Sequence, residues 1–362
     1  MTLPSELPSR IVVRGTNWVG DTVMSIPALR EIRHIFPRSE ITLWAPAALE
    51  PLLRAIGVAE DVISFDPSLD GYWKRPFRMG RRLAKRFDLA ILFQNAFESA
   101  FTAWLACVPV RVGFPTDLRG PFLSMAVPLT REIRSKHQVF YYLAIADFLR
   151  EHYRPDEPKA TNLPNCSIEI PPWALERATD LLMSEGIDPT APLLCLCPGS
   201  VNSEAKRWPP AYFSALADLL LERLHGSVIF LGASSETKLI DRILSQMRHA
   251  GARNFAGKTD LVTSMAVMQL ARMVVSNDTG SAHLAVAASA RVVTIFGPTI
   301  AGATAPFGPN AHIIQGQAPC APCRHFRCPF PEHPCMRSVT PQALFVFLQK
   351  IMTSEKSETG TG

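Results

Sequence analysis

Residues 14–32, RGTNWVGDTVMSIPALREI, contain the local pattern on which the fold assignment depends. The apolar run IVV leads into this stretch, and a short loop with Gly15, Gly20 and the acid Asp21 follows. Apolar residues then recur every three or four positions, which predicts an amphipathic helix over residues 22–36. A strand, a glycine-containing loop and a helix in this order are typical of α/β nucleotide-binding folds. The open question is what a carboxylate does at position 21, and capping the helix is the simplest answer.

The alternation of apolar strands and helices continues through the rest of the chain. Predicted strands are RIVVR, EITLWAP, DVISFD and LAILFQ in the first half, and LLCLCPG, SVIFLGA, MVVSND and RVVTIFG in the second. The second half also predicts helices over residues 210–224 and 281–290. Apolar strands separated by helices predict parallel, doubly wound sheets, so the expected fold class is α/β with Rossmann-like domains.

The length of 362 residues indicates two domains. Residues 154–173 are rich in proline and are interpreted as the hinge between them. The predicted domains are therefore residues 1–165 and 166–352, and the polar sequence TSEKSETGTG, residues 353–362, is predicted to be a tail. A ligand is expected in the cleft between the two domains.

The sequence lacks the motifs of several protein classes, and these classes are therefore disfavoured. The start, MTLPSELPSR, has no apolar segment of a signal peptide, and no run of about 18 uncharged apolar residues follows, so a cytoplasmic protein is expected. The glycines of RGTNWVGD do not have the spacing of a nicotinamide-binding loop, and a P-loop is also missing. No Asp-x-Asp pair follows a predicted strand, so no cofactor is expected to be required for holding a diphosphate.

The densest positive charge lies in residues 72–87, YWKRPFRMGRRLAKRF, which hold seven basic residues and no acid. One interpretation is a solvated helix face. The other is contact with an anionic membrane surface, because Tyr72, Trp73 and Phe77 are side chains suited to a membrane interface. Nucleic acid is not expected as a partner, since no nucleic-acid-binding motif accompanies the charge.

Ligand-type groups follow four predicted strands of the second half. Gly199 and Ser200, with Lys206 and Arg207 shortly after, follow LLCLC, and small residues there let backbone N–H groups approach a ligand. The other groups are Glu236 after SVIFLG, the run Asp278, Thr279 and Gly280 after MVVS, and the turn FGPT after RVVTI.

Together these groups predict a cradle for a diphosphate with an acid for the hydroxyls of a ribose. Each also has a plainer interpretation. Asp278 can be only a helix cap, Lys206 can be only a surface residue, and His283 can be only a buried core residue.

Four stretches in order along the chain resemble the glycosyltransferase family 9 heptosyltransferases, and in particular the heptosyltransferase II type of lipopolysaccharide core assembly. They are GTNWVGDTVMSIPALREIRHIFP, PGSVNSEAKRWPPAYFSALADLL, VVSNDTGSAHLAVAASARVVTIFGPT and CAPCRHFRCPFPEHPCM. The resemblance implies a GT-B fold, an N-terminal domain for a lipid-linked acceptor and a C-terminal domain for ADP-heptose. It also implies an inverting transfer onto a heptose of the growing core.

The resemblance also implies roles for single residues. Asp21 takes the place of the catalytic base, with Thr16, Asn17 and Gly20 in the acceptor-side loop. Lys206 takes the place of the diphosphate-binding lysine. The other implied donor-binding residues are Ser200, Glu236, Asp278, Thr279, Gly280 and His283. Ser281 departs from the pattern, because relatives often carry proline or another apolar residue there.

Cysteines fall into two sets. Cys107, Cys166, Cys195 and Cys197 lie in apolar settings and are predicted to be small buried side chains. Cys320, Cys323, Cys328 and Cys335 lie close together in the sequence, with His325 and His333 between them. A structural zinc site, a redox role and simple packing of a proline-rich loop are the three possibilities for this set.

The resulting hypothesis is a cytoplasmic enzyme on the inner face of the inner membrane. It uses ADP-heptose as donor and an anionic lipid A–Kdo–heptose as acceptor, and it contacts the membrane through basic residues 74–86. The alternatives are another family 9 transferase such as heptosyltransferase I, a GT-B-fold sugar-nucleotide epimerase, and a non-catalytic nucleotide-sugar-binding protein.

Overall fold

The computed structural model describes residues 6–69, 71, 74–158, 162–201, 203–224 and 226–358. The chain divides into two compact units, residues 1–166 and 167–362. No helix of the described residues combines the length and the apolar character that a membrane crossing requires.

The first unit is built on a parallel sheet of six strands. The strands are β1 (Arg10–Arg14), β2 (Glu40–Pro46), β3 (Asp61–Phe65), β4 (Leu89–Leu92), β5 (Val110–Gly113) and β6 (Met125–Ala126). The helices are α1 (Val19–Ile35), α2 (Glu50–Ile56), α3 (Arg75–Leu83), α4 (Phe97–Leu105), α5 (Arg131–Ser135) and α6 (Gln138–Tyr153). The strands lie in the order β3-β2-β1-β4-β5-β6.

The second unit repeats this plan. Its strands are β7 (Leu193–Cys197), β8 (Ser227–Phe230), β9 (Ala252–Asn254), β10 (Met273–Asn277), β11 (Val292–Phe296) and β12 (Ala311–Gln315). Its helices are α7 (Pro172–Ser184), α8 (Pro210–Leu224), α9 (Thr237–Ser245), α10 (Leu261–Leu270), α11 (Gly280–Ala287), α12 (Ala301–Thr304), α13 (Pro334–Arg337) and α14 (Pro341–Glu358). The strand order is β12-β11-β10-β7-β8-β9.

In each unit the strand order reverses at one place, between β1 and β4 in the first and between β7 and β10 in the second. The loops at the carboxyl ends of two such strands leave in opposite directions, so they open a crevice where α/β proteins bind ligands. Asp21, in the first turn of α1, follows β1. The loops with Ser200 and Asp278 follow β7 and β10. The candidate residues of each unit therefore lie at the reversal point of its own sheet.

The α/β class and the doubly wound parallel sheets are confirmed, and all eight predicted strands are present. The first helix starts at Val19 rather than at residue 22, and its N-cap residue is Trp18. Asp21 therefore lies inside the first helical turn and does not cap the helix. The last helix, α14, extends to Glu358, into the segment predicted as a tail.

The core of the second unit lies between its sheet and helices α8 and α14. Residues of β7, β8, β10 and β11 pack there against Phe213 and Leu216 of α8 and Leu344 and Leu348 of α14. Every residue of β7 is buried, as expected for a central parallel strand covered on both faces. This burial is why the strand appears in the sequence as the uninterrupted apolar run LLCLC.

We expect Leu196→Ala, at the fully buried centre of β7, to lower the free energy of unfolding of the second unit by about 2–5 kcal/mol. The loss has two parts, the lost burial of the side chain and the cavity it leaves. Urea denaturation measures it. The control is Met183→Ala on α7, a side chain that is 53% exposed and whose loss should change the value by less than about 0.5 kcal/mol. Equal losses in the two variants would contradict the described core.

Candidate active site

A buried asparagine joins the loops at the carboxyl ends of β7 and β10. Asn277, the last residue of β10, has no exposed surface. Its Nδ2 donates to the carbonyl oxygen of Pro198 at 2.8 Å, and its Oδ1 accepts the backbone N–H of Trp208 at 3.0 Å. The end of β10 and both ends of the connection between β7 and α8 therefore share one hydrogen-bonding centre. Sequence reasoning missed Asn277, although a polar residue at the end of the apolar run MVVSN was a visible signal.

Lys206 and Asp278 form an ion pair beside this centre. The Nζ of Lys206 lies 2.7 Å from Oδ2 of Asp278, and the hydroxyl of Thr299 donates to the same oxygen at 2.7 Å. The Asp278 side chain is 5% exposed, whereas that of Lys206 is 27% exposed. Asp278 therefore holds the ammonium group from the buried side, while the Lys206 side chain as a whole stays partly exposed to solvent. Thr299 belongs to the predicted FGPT turn but was not itself predicted.

The interpretation of Asp278 as a helix cap is wrong. Helix α11 begins at Gly280, its N-cap residue is Thr279, and no side chain caps it. The Asp278 carboxylate is instead engaged by Lys206 and Thr299. Thr279 and Gly280 thus lie at the positive end of the α11 dipole, where backbone N–H groups are suited to an anion. His283 lies one turn further along α11 and is buried.

Arg207 and Ser200 stabilise the loop that follows β7. The guanidinium of Arg207 donates from Nε and Nη2 to the carbonyl oxygen of Ser200, at 3.2 and 2.8 Å. Ser200 is itself buried. Arg207 therefore uses two of its N–H groups to bind the Ser200 carbonyl. The sequence had suggested it as a second cation for the diphosphate. Lys206 is the better candidate for contact with a diphosphate.

Glu236 is brought close to the same loop. It ends a short 3₁₀ helix, Ser234–Glu236, after β8, and its Oε2 accepts the backbone N–H of Ala233 at 2.9 Å. A Cβ atom built on Gly199 would overlap the Glu236 carboxyl group, so this group occupies the space that a side chain at position 199 would need. Burial raises the pKa of Glu236, because partial removal from water disfavours the ionised form.

The second unit thus collects its predicted residues at one edge of its sheet. Ser200, Lys206, Glu236, Asp278, Thr279 and Gly280 all follow the carboxyl ends of β7, β8 or β10. Thr299 extends the group to the end of β11. An ammonium group, a helix N-terminus and a carboxyl group at one edge of the sheet suit a ligand with a diphosphate and hydroxyl groups.

In the first unit, Asp21 has a tyrosine partner. The hydroxyl of Tyr142, on α6, donates to Oδ1 of Asp21 at 3.2 Å. Burial raises the pKa of Tyr142 well above its usual value, and the nearby Asp21 charge acts in the same direction. The phenol therefore keeps its proton at neutral pH and holds the orientation of the carboxylate. Tyr142 was not found from the sequence, because α6 is far from Asp21 along the chain.

A buried arginine fixes the loop between β1 and α1. Arg14 donates to the carbonyl oxygen of Gly15 at 2.6 Å and to Oδ1 of Asn17 at 2.6 Å. Its guanidinium lies 5.0 Å from the ring centroid of Trp44. Burial lowers the pKa of Arg14 to about 10, so the group stays charged at neutral pH. Asn17 is thus held in place by Arg14.

Thr16 and Gly20, the other predicted residues of this region, lie at the start of α1 or next to it. The Thr16 hydroxyl is 2.8 Å from the hydroxyl of Thr22 in α1, and Gly20 lies in the first turn of that helix.

A second buried arginine joins the loops at the ends of β4 and β5. Arg119 has no exposed surface and donates to the carbonyl oxygens of Phe114, at 2.7 Å, and of Gln94. It also donates to Oδ1 of Asn95 at 3.1 Å. Burial lowers the pKa of Arg119 to about 10. Neither buried arginine was predicted from the sequence.

The four late cysteines, with His325 and His333, line one cavity of about 410 Å³. All eight cysteines are free thiols. Among the described residues, no group of three or more His, Cys, Asp or Glu side chains is placed so that it could hold a metal ion. The zinc site stays a prediction. Burial, together with the neighbouring thiols, raises the pKa of Cys335.

One prediction about the other cysteines is wrong. Cys107 is exposed, because it follows the end of α4 in a left-handed backbone conformation at the surface. Cys166, Cys195 and Cys197 are buried as expected.

Comparisons with known proteins agree on one family. The model of glycosyltransferase family 9 (heptosyltransferase) matches residues 76–333. The chain is 30% identical to lipooligosaccharide heptosyltransferase 2 of Haemophilus ducreyi, over 84% of this chain and 88% of that one. It is 28% identical to lipopolysaccharide heptosyltransferase 2 of Salmonella typhimurium, over 96% and 99%. The solved structure of ADP-heptose LPS heptosyltransferase II of E. coli superposes with a TM-score of 0.80 at 25% identity, covering 96% of this chain and 99% of that one.

We expect Asn277→Ala to lower the free energy of unfolding by about 1–3 kcal/mol, because it leaves the buried Trp208 N–H and Pro198 carbonyl without their partner. The matched control is Asn310→Ala, which removes a 3.1 Å bond from an exposed amide to the Ser289 carbonyl and should cost less than about 0.5 kcal/mol. Urea denaturation of both variants compares them. Similar losses of unfolding free energy in the two variants would contradict the role of Asn277 as the hydrogen-bonding centre of these loops.

Proposed function

Because the chain belongs to glycosyltransferase family 9, we propose that it transfers heptose from ADP-heptose to a heptose of the lipopolysaccharide inner core, with inversion at the anomeric carbon. This is the activity of the heptosyltransferase II type. The two doubly wound parallel sheets match the GT-B fold of the solved relative. The observation that carries the proposal is the Lys206–Asp278 pair at the start of α11, in a chain similar to named heptosyltransferases over most of its length.

The donor site lies in the second unit. Its ammonium group, on Lys206, and the N-terminus of α11 provide positive charge where a diphosphate carries negative charge. Asp278 fixes the ammonium at 2.7 Å, and the lysine has three N–H donors to share between that carboxylate and phosphate oxygens. We assign Glu236 and Ser200 to the donor, with the Glu236 carboxyl group accepting hydrogen bonds from the ribose hydroxyls.

The chemical step needs a base on the acceptor side. The acceptor hydroxyl attacks the anomeric carbon, its proton goes to the Asp21 carboxylate, and the bond to the diphosphate breaks to release ADP. The Tyr142 hydroxyl holds Asp21 in place at 3.2 Å. The charge that develops on ADP is stabilised by Lys206 and by the dipole of α11, which are in position before the reaction starts.

The loop with Thr16, Asn17 and Gly20 is assigned to the acceptor sugar. Arg14 anchors Asn17 at 2.6 Å, so this side of the loop has a defined shape. Gly20 has no side chain, which leaves room for a sugar next to Asp21.

An anionic membrane surface is the proposed docking partner of the basic segment, residues 74–86. Helix α3 exposes Arg78, Arg81 and Arg82, whereas Arg75 is half-buried and pairs with Glu98 at 3.3 Å. Phe77, 55% exposed, and Trp104 of α4, 48% exposed, flank Phe101 at centroid distances of 5.8 and 5.9 Å. Exposed aromatic and basic side chains together suit the headgroup region of a bilayer. Tyr72 and Trp73 lie outside the described residues.

We expect Asp21→Asn to lower the rate of ADP release from ADP-heptose by about a hundredfold to ten-thousandfold, the contribution of a general base. The assay uses Kdo2-lipid A that carries one heptose as acceptor. Release by the unmodified chain should require this acceptor. ADP affinity, measured by calorimetry, should be unchanged in the variant, because Asp21 contacts the acceptor and not the diphosphate.

Tyr142→Phe is the matched control, since it removes only the hydroxyl that orients Asp21, and it should cost less than Asp21→Asn. Transfer to heptose-free Kdo2-lipid A would indicate the heptosyltransferase I type. ADP release that ignores the acceptor would indicate hydrolysis or epimerisation. Full activity of Asp21→Asn would contradict the base role.

We expect the triple variant Lys74→Gln, Arg81→Gln, Lys85→Gln to bind vesicles that contain phosphatidylglycerol about a hundredfold more weakly. Each basic residue near an anionic surface contributes about 1 kcal/mol. Vesicle co-sedimentation measures the binding, and added salt should weaken binding of the unmodified chain.

The control variant replaces three exposed basic residues of the second unit with glutamine and so removes the same charge. These residues are Arg223, Arg242 and Lys350. Equal weakening by both triple variants would attribute binding to net charge alone. Binding that does not respond to salt would contradict an electrostatic contact.

A further inference from the structure

The cysteine-rich segment, residues 318–337, contacts the short turn that carries Lys206. The backbone carbonyl of Phe326 accepts the N–H of Ala205 at 3.1 Å and the hydroxyl of Ser203 at 3.2 Å. Nε2 of His333 lies 2.7 Å from the carbonyl oxygen of Ala205. Both backbone groups of Ala205 are therefore bonded to this segment. The carbonyl belongs to the peptide bond that links Ala205 to Lys206.

The proton position on His333 follows from its partner. A carbonyl oxygen can only accept a hydrogen bond, so Nε2 carries the hydrogen and donates it. His333 has a left-handed backbone, with a φ of 46°, and stands directly before α13. Two residues later Cys335 is buried, and a Cβ atom on Gly316 would overlap its carbonyl oxygen. The backbone that presents the imidazole is therefore packed in place.

The same segment supports the other side of the ion pair. The backbone N–H of Arg324 donates to the Pro298 carbonyl at 2.8 Å. Pro298 precedes Thr299, whose hydroxyl bonds to Asp278. Lys206 thus has its ammonium end held by Asp278 and its backbone end held by the cysteine-rich segment.

We propose that His333 is a positioning residue of the donor site. By donating from Nε2 to the Ala205 carbonyl, it fixes the peptide bond before Lys206 and so determines where the ammonium meets a diphosphate. The inference rests on the proposed function for the identity of the ligand. It adds that the His333 imidazole of the cysteine-rich segment acts on donor binding without contacting the donor.

The test compares two amides at position 333. His333→Asn tolerates the left-handed backbone, but its amide is too short to reach the place of Nε2. His333→Gln places an amide nitrogen where Nε2 stands and can donate to the Ala205 carbonyl. We expect His333→Asn to raise the dissociation constant for ADP and the KM for ADP-heptose about threefold to tenfold, the effect of losing one hydrogen bond, and to leave the KM for the acceptor unchanged. His333→Gln should restore most of the affinity.

A double-mutant cycle separates positioning from general stability. If His333 acts through Lys206, His333→Asn should cause no further loss of ADP affinity in a Lys206→Ala background. Arg327→Ala is the control within the segment. It removes an exposed contact of 3.5 Å with Glu204 and should leave ADP affinity unchanged.

Each outcome decides the proposal. Unchanged ADP affinity in His333→Asn, no rescue by Gln, or additive losses in the cycle would each overturn it. If the unmodified chain binds ADP and His333→Asn weakens that binding, but the unmodified chain transfers no heptose, the proposed function fails and the positioning role stands. If the unmodified chain does not bind ADP, both are overturned.

Discussion

The buried amide of Asn277 is the constraint on which the second unit's site depends. Parallel strands end in loops whose backbone groups leave the sheet ladder without partners, and these groups are costly to bury unpaired. One side chain with a donor and an acceptor meets two such groups at once, the Pro198 carbonyl and the Trp208 N–H. The ion pair of Lys206 with Asp278 starts at the next residue along the chain, so its geometry follows from that of Asn277.

In the first unit, buried arginine side chains rather than an amide pair with the backbone groups of these loops. Arg14 and Arg119 are both buried, and both donate mainly to backbone carbonyls of loops at the carboxyl edge. A guanidinium has five N–H groups, so each arginine serves several loop groups. Burial lowers the pKa of each to about 10, which still leaves them charged at neutral pH. The two sheets share one strand order, but different side chains bind the loops at their carboxyl edges.

Much of the fold could be predicted because central parallel strands are buried on both faces and appear as apolar runs. Strands β5, β6, β9 and β12 were not predicted, because each is short or carries polar side chains and so forms no uninterrupted apolar run. In the site, Lys206 and Asp278 were predicted from their places after strands, but their pairing was not, since it depends on the neighbourhood of β7 and β10. Tyr142 and His333 were missed as partners for the same reason. Contacts between segments far apart in the chain leave no local pattern.

The contact between Gly199 and Glu236 has a consequence for which side chains the two positions can hold. A larger residue at position 199 collides with the carboxyl group as it stands, whereas a shorter residue at position 236 collides with nothing at position 199. A side chain at position 199 is therefore accommodated only when the Glu236 carboxyl group turns away or is absent. The glycine and the placement of the glutamate are coupled, because the space that one leaves free is the space that the other fills.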